Sequence, residues 1–140
     1  MGNTMDILEA AQEWLRYAEN DLGSAEFLLG RRPIPIEIIC FHCQQSTEKA
    51  LKGLLVLHEI RPPTIQNLQE LFFLCKPFTA DIDTIQTPCK NLNAYSVQPR
   101  YPNEMVTTEE EMKKALADAK AVMEFIRPLY PLRETSSGDI

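Results

Sequence analysis

Apolar side chains recur every three or four positions along most of this chain, an interval that predicts helices and not strands. Leu8, Ala11, Trp14, Leu15, Ala18, Leu22, Ala25 and Leu29 hold one stripe and predict a first helix over residues 4–29. Asn3 or Thr4 can cap it, with Asp6 and Glu9 near the positive end of its dipole. Gly30 closes it, and the prolines at 33 and 35 cannot continue it because they lack amide protons. So short a connection predicts a second helix, residues 35–59, running back antiparallel to the first. Pro35 and Glu37 suit its first turn, and Arg61, Pro62 and Pro63 stop it.

Beyond those prolines, residues 66–76 read as a shorter helix with Leu68, Leu71, Phe72 and Cys75 facing inward, ended by Pro77. The next stretch supports one helical turn around Ile82 and Ile85. Thr87 as an N-cap before Pro88 predicts a fourth helix over residues 88–97. Thr108 with Glu111 three residues later is a capping box, opening a last helix over residues 109–129. Met112, Ala115, Leu116, Ala119, Met123 and Ile126 form its core face, and Pro128 and Pro131 end it. The expectation is a single all-α domain over residues 4–130: an antiparallel bundle of four main helices plus a short extra helix. Residues 131–140 are polar and read as a disordered tail.

The second helix has two unlike faces. Ile39, Cys43, Ala50, Leu54 and Leu57, flanked by Cys40 and Leu51, make a core stripe. Phe41, Gln45, Glu48, Lys49 and Lys52 gather on the opposite side within roughly a 100° arc, the width of one helix face. Ile38 and Val56 share that direction. A merely solvated face seldom carries Ile, Phe and Val around its polar centre, so this face is expected to meet something. The plainer alternative is that Glu48 and Lys52 form an ordinary solvated i,i+4 pair.

Composition narrows what that something is. With 140 residues, 44% hydrophobic and 24% charged, the chain can bury a core without disulfides or metal. A net charge of −6 repels polyanions, so nucleic-acid binding would need a local basic patch. The start MGNTMDILEA lacks a basic-then-apolar leader pattern, and no apolar run reaches a membrane span, which reads as a cytoplasmic chain. Cys40 and Cys43 bracket His42, yet the imidazole points away from both thiols on the wheel. With no second ligand pair, buried reduced thiols are expected and neither metal nor cofactor.

A second informative stretch joins the fourth helix to the last. Arg100 lies near Pro99 and Pro102 in a stiff connector, which presents its guanidinium fork to a carboxylate or phosphate at low entropic cost. Tyr95 and Tyr101 can stack on a base or on the arginine. Against this stands a structural reading, in which Arg100 pairs with an acidic residue such as Glu48 and the tyrosines cap the core.

Taken together, the two stretches resemble the HEPN domain family. The first supplies F-x-x-Q-Q-x-x-E-K-x-x-K in Phe41, Gln44, Gln45, Glu48, Lys49 and Lys52; the second supplies Tyr95, Arg100, Tyr101 and Pro102. Ala18, Asp21, Leu22 and Ala25 look like the family's opening A-x-x-D-L-x-x-A. The resemblance implies a bundle of four or five helices and commonly a homodimer. It also implies a partner of minimal nucleotidyltransferase type in toxin–antitoxin-like pairs, or a bound nucleotide or RNA. Gln45, Glu48, Lys49, Lys52, Tyr95, Arg100 and Tyr101 would then make the contacts to ligand or partner.

Many members of that family are metal-independent ribonucleases in which His follows Arg after four to six residues. Here the corresponding positions beyond Arg100 are Met105, Val106 and Thr107. The histidines, His42 and His58, lie on the second helix with no Arg at the required distance. The family's His-Asp is replaced by Gln66 and Asn67. Without a group to take a 2′-hydroxyl proton near neutral pH, the chain reads as a non-catalytic binding member. The competing readings are a ribonuclease using Arg100 with a nonstandard base, and a purely structural dimerisation module with the polar arc as its seam.

Overall fold

Small residues at every seventh position let two helices approach closely. Ala11, Ala18 and Ala25 are each fully buried on the first helix, α1, which spans Thr4–Leu28. They pack on α2, Ile36–Leu57, from which Ile39, Cys40, Cys43, Ala50, Leu51, Leu54 and Leu55 enter the core. Three further helices follow: α3 (Leu68–Cys75), α4 (Gln86–Leu92) and α5 (Glu109–Ile126). This computed structural model describes residues 4–96 and 107–131, and among the described residues there are no strands. None of the helices described is long and apolar enough to cross a membrane.

The bundle is built around α2, which touches α1, α3, α4 and α5. Register along the α1–α2 pair shows its sense. Asp21 meets His42 and Lys49, while Trp14, two turns earlier, meets Lys52 and Gly53. Numbers fall on α1 as they rise on α2, so the two run antiparallel, as the short connection predicts. Salt bridges Glu19–Arg127 and Glu26–Lys120 show the same sense for α1 and α5. Each large apolar side chain buried in this core contributes about 1.5–3 kcal/mol.

Helix ends follow local chemistry, in two places differently from expectation. The Thr108–Glu111 capping box forms, with Glu111 N–H donating to Thr108 Oγ1 at 3.1 Å and Thr108 N–H to Glu111 Oε1 at 2.9 Å. Asn67 caps α3 by accepting from the amides of Gln69 and Glu70. For α4 the expected Thr87 cap is not used: the helix begins at Gln86, with Ile85 at the N-cap and no side-chain cap bond. A 3₁₀ turn, Ile82–Ile85, buries both isoleucines and runs straight into α4. Pro88 is tolerated at the third helical position because that amide has no intrahelical partner. The predicted extension of α4 toward Val97 ends instead at Leu92, followed by a 3₁₀ turn over Asn93–Tyr95; Val97 itself lies outside the described residues.

The second difference concerns closure by a left-handed residue. Gly30 follows α1, but none of the described glycines has a positive φ, whereas Glu59 has φ 63°. The amide of Ile60 reaches Leu55 O and that of Glu59 reaches Val56 O, the paired bonds of a Schellman end. Thus α2 closes at Glu59, before the Arg61–Pro62–Pro63 run expected to stop it. At its other end α5 stops at Ile126, and a 3₁₀ turn over Arg127–Leu129 swings Tyr130 back into the bundle.

Gly53 is the point of closest approach. A Cβ placed there would lie 2.8 Å from Trp14 Cβ and 3.2 Å from Ala11 O, and closer still to the Tyr130 hydroxyl. At Gly23, by contrast, an added Cβ meets nothing within 4 Å. Gly53→Ala is therefore expected to destabilise by about 1–3 kcal/mol, as overpacking does, whereas Gly23→Ala should stabilise by about 0.5–1 kcal/mol through helix propensity. The buried Tyr130 hydroxyl has no hydrogen-bond partner, so Tyr130→Phe should be neutral or stabilising and should recover part of the Gly53→Ala loss. Urea unfolding of the single and double variants checks all three.

Candidate functional site

The polar face of α2 is organised into two hydrogen-bonded groups. In the first, the Gln45 side-chain amide donates to Gln44 Oε1 at 2.8 Å and to Glu48 Oε1 at 3.2 Å. Lys52 Nζ donates to Glu48 Oε2 at 2.9 Å and lies 6.0 Å from the centre of the Trp14 ring. Gln44 itself is fully buried and donates to the Gln66 carbonyl at 3.2 Å. In the second group, Asp21 of α1 bridges two residues of α2. Its Oδ1 lies 2.9 Å from His42 Nδ1 and its Oδ2 2.5 Å from Lys49 Nζ.

Burial decides what these groups can do. Glu48 is 7% exposed and Lys52 8%, so their pair is not the solvated surface bridge that i,i+4 spacing suggests. The indole of Trp14 accounts for part of that cover. A pair so placed is stabilising only while both partners are present, because a lone buried charge would keep its desolvation cost. The Asp21 group is more open: its carboxylate is 13% exposed, and His42 and Lys49 each 28%. Nδ1 of the imidazole faces the Asp21 carboxylate, and His42 helps line the neighbouring surface groove.

These contacts divide the predicted site. Gln45, Glu48 and Lys52 do form one chain, and Lys49 joins Asp21 on the adjoining turns. Tyr95 stands elsewhere, half-buried near Cys40 and lining a groove of about 360 Å³ with Asn91, Glu111, Lys114 and Asp118. Burial pushes its hydroxyl up to about 12. Arg100, Tyr101 and Pro102 lie outside the described residues, as do Met105 and Val106. Glu48, suggested as a partner for Arg100, is engaged by Lys52 and Gln45.

Asp21, His42 and Gln44 had no contact assigned to them from the sequence, although Asp21 and Gln44 stand among the family-motif residues. For Asp21 and His42 a geometric signal also existed. Asp21 sits at the edge of the α1 stripe and His42 at the edge of the α2 stripe, and an antiparallel hairpin brings such edges together. The register that pairs them is not encoded in periodicity. Metal ligation is equally a matter of register: Cys40 and Cys43 are free and buried, and His42 turns from them to Asp21. Among the described residues no three of His, Cys, Asp and Glu gather as a metal site would require.

Comparison with known proteins agrees with the fold. The model of the HEPN domain family matches residues 11–129. The crystal structure of ST0689, an archaeal HEPN homologue, superposes with a TM-score of 0.67 at 21% identity, covering 86% of this chain and 98% of its own. TT1696 from Thermus thermophilus does so with a TM-score of 0.55 at 27% identity, covering 91% and 98%. No curated protein matches the chain.

Two expectations follow from these environments. Lys52→Met leaves the Glu48 carboxylate buried without its cation and should cost about 1–3 kcal/mol in urea unfolding. Adding Glu48→Gln should restore most of the loss. The four thiols, pushed by burial from 9.0 up to about 12, give the second. Their folded pKa is raised, so their contribution is fully present below pH 9 and is lost as pH rises toward 12. Stability should fall as pH rises through that window, because the unfolded chain releases the thiol protons first. At pH 8 a soluble alkylating reagent should label no cysteine until the chain unfolds, and rapid labelling in the native state would refute the burial argument.

Proposed function

Since this chain belongs to the HEPN domain family, we propose that it acts as a non-catalytic, cytoplasmic binding module. In this reading it self-associates and pairs with a second protein of nucleotidyltransferase type, in a toxin–antitoxin-like arrangement. One observation carries the preference for a protein partner: both lysines of the α2 face are already held by carboxylates, Lys49 by Asp21 and Lys52 by Glu48. An incoming phosphate would have to displace those carboxylates while approaching a chain of net charge −6. A protein surface need not. It can take the apolar edges at Ile38, Phe41 and Val56 and donate to the Gln45 carbonyl oxygen without opening either bridge.

A nucleotide or RNA end is the second reading, favoured by the part-exposed Lys49 side chain. There Lys49 exchanges Asp21 for phosphate and Arg100 supplies a second cation. The ribonuclease reading has less support, because His42, the histidine nearest this face, is committed through Nδ1 to Asp21 and belongs to no Arg-x₄₋₆-His pattern.

Co-expression with a minimal nucleotidyltransferase-type protein tests the first reading. The two chains should co-elute, and Lys49→Ala/Arg100→Ala should remain folded while losing the complex. Unchanged co-elution of that variant would remove these residues from the interface. Metal-free protein incubated with labelled tRNA should leave it intact. Cleavage that disappears in Arg100→Ala would replace the binding reading with the enzymatic one.

A further inference from the structure

The open end of the α1–α2 hairpin holds a groove that core packing does not explain. It measures about 370 Å³, and its floor is apolar: Ile7 and Ala10 from the start of α1, Val56 from the last turn of α2, and Ile60 just past it. Its rim carries Asp6, Glu59 and Arg61. A concave apolar floor inside a polar rim is the layout of an interaction site. Val56 belongs both to this groove and to the apolar edge of the polar arc, so the groove continues that face of α2.

The residues that close α2 point to what fills the groove. Glu59 holds φ 63°, a left-handed conformation that glycine adopts freely and an L side chain only at a cost. Strain of this kind clusters at ligand clamps. Ile60 takes the next place in the same Schellman end, where an apolar side chain usually folds back onto the preceding turn. Here it stays 38% exposed and lines the groove. The charges also differ from those of the polar arc. Asp21 and Glu48 are met by lysines, whereas no cation bridges the Glu59 carboxylate among the described residues.

We infer that this groove seats an apolar side chain of the partner protein, carried beside a lysine or arginine that reaches Glu59. The site rests on the protein-partner reading above and adds that the partner's contacting surface is basic around an apolar anchor. Two carboxylates to one guanidinium leave the rim acidic, and a chain of net charge −6 draws in a basic surface from a distance. The anchor supplies affinity by leaving water for the apolar floor, and the cation at Glu59 fixes its register. An acidic surface is repelled on both counts.

Fluorescence anisotropy of the full chain tests the site with three labelled helical peptides: one of leucine and lysine, one with glutamate for each lysine, and one with alanine for each leucine. Wild type should bind the leucine–lysine peptide and neither of the others. Ala10 is exposed, so Ala10→Leu fills the groove without touching the core, and circular dichroism should be unchanged. That variant should bind the peptide roughly tenfold more weakly, the effect of excluding an anchor. Glu59→Gly removes the carboxylate and relieves the left-handed backbone. It should unfold at a higher urea concentration than wild type and yet bind roughly tenfold more weakly; a merely structural Glu59 would show the first effect without the second. Equal affinity in all three proteins, or equal binding of the glutamate peptide, overturns the assignment. Ala10→Leu should also lose co-elution with the nucleotidyltransferase-type protein. If it keeps a complex that Lys49→Ala/Arg100→Ala loses, the groove assignment fails while the binding reading stands. A wild type that discriminates the peptides as expected but forms no complex keeps the groove and removes the pairing reading.

Discussion

The α1–α2 crossing is the constraint on which the rest of this bundle depends. Gly53 has Trp14 Cβ, Ala11 O and the Tyr130 hydroxyl packed into the space a side chain would take. Because the backbones meet so closely, the register of the two helices is set at that point. Register in turn brings Asp21 between His42 and Lys49, and Trp14 over Lys52. Tyr130 ties the end of the last helix to the same place, so α5 inherits its position from the crossing as well.

The polar face of α2 gains its character from that register. Carboxylates supplied by α1 and by α2 itself neutralise its two lysines, and the indole of Trp14 shields one of the pairs from water. A face that looked equipped to hold an anion is internally satisfied. What the face still offers is the apolar edge at Ile38, Phe41 and Val56 beside the part-exposed Gln45.

Much of this was legible in the sequence because helical periodicity records burial directly. The inward sets on α3 and α5 are the residues found buried, from Leu68, Leu71, Phe72 and Cys75 to Met112 and Ile126. The capping box is a local device whose two partners are three residues apart, so it forms where it reads. Ends without such a device were read less well. Thr87 was displaced as a cap by a 3₁₀ turn whose isoleucines are drawn into the core, and Glu59 adopts the left-handed conformation expected of a glycine.

By itself, then, the sequence determined the all-helical class, the number and order of the helices, their inward faces and membership of a family recognised by motif order. These follow from interactions within a few residues, which periodicity and spacing encode. Only the tertiary structure decided the partners of the charged groups. That Lys49 meets Asp21 across 28 positions, and that the Glu48–Lys52 pair is buried and not solvated, depends on how far α1 slides along α2. That distance is set by close packing around Gly53, a steric fact distributed over Ala11, Trp14 and Tyr130 and written in no single stretch of the chain.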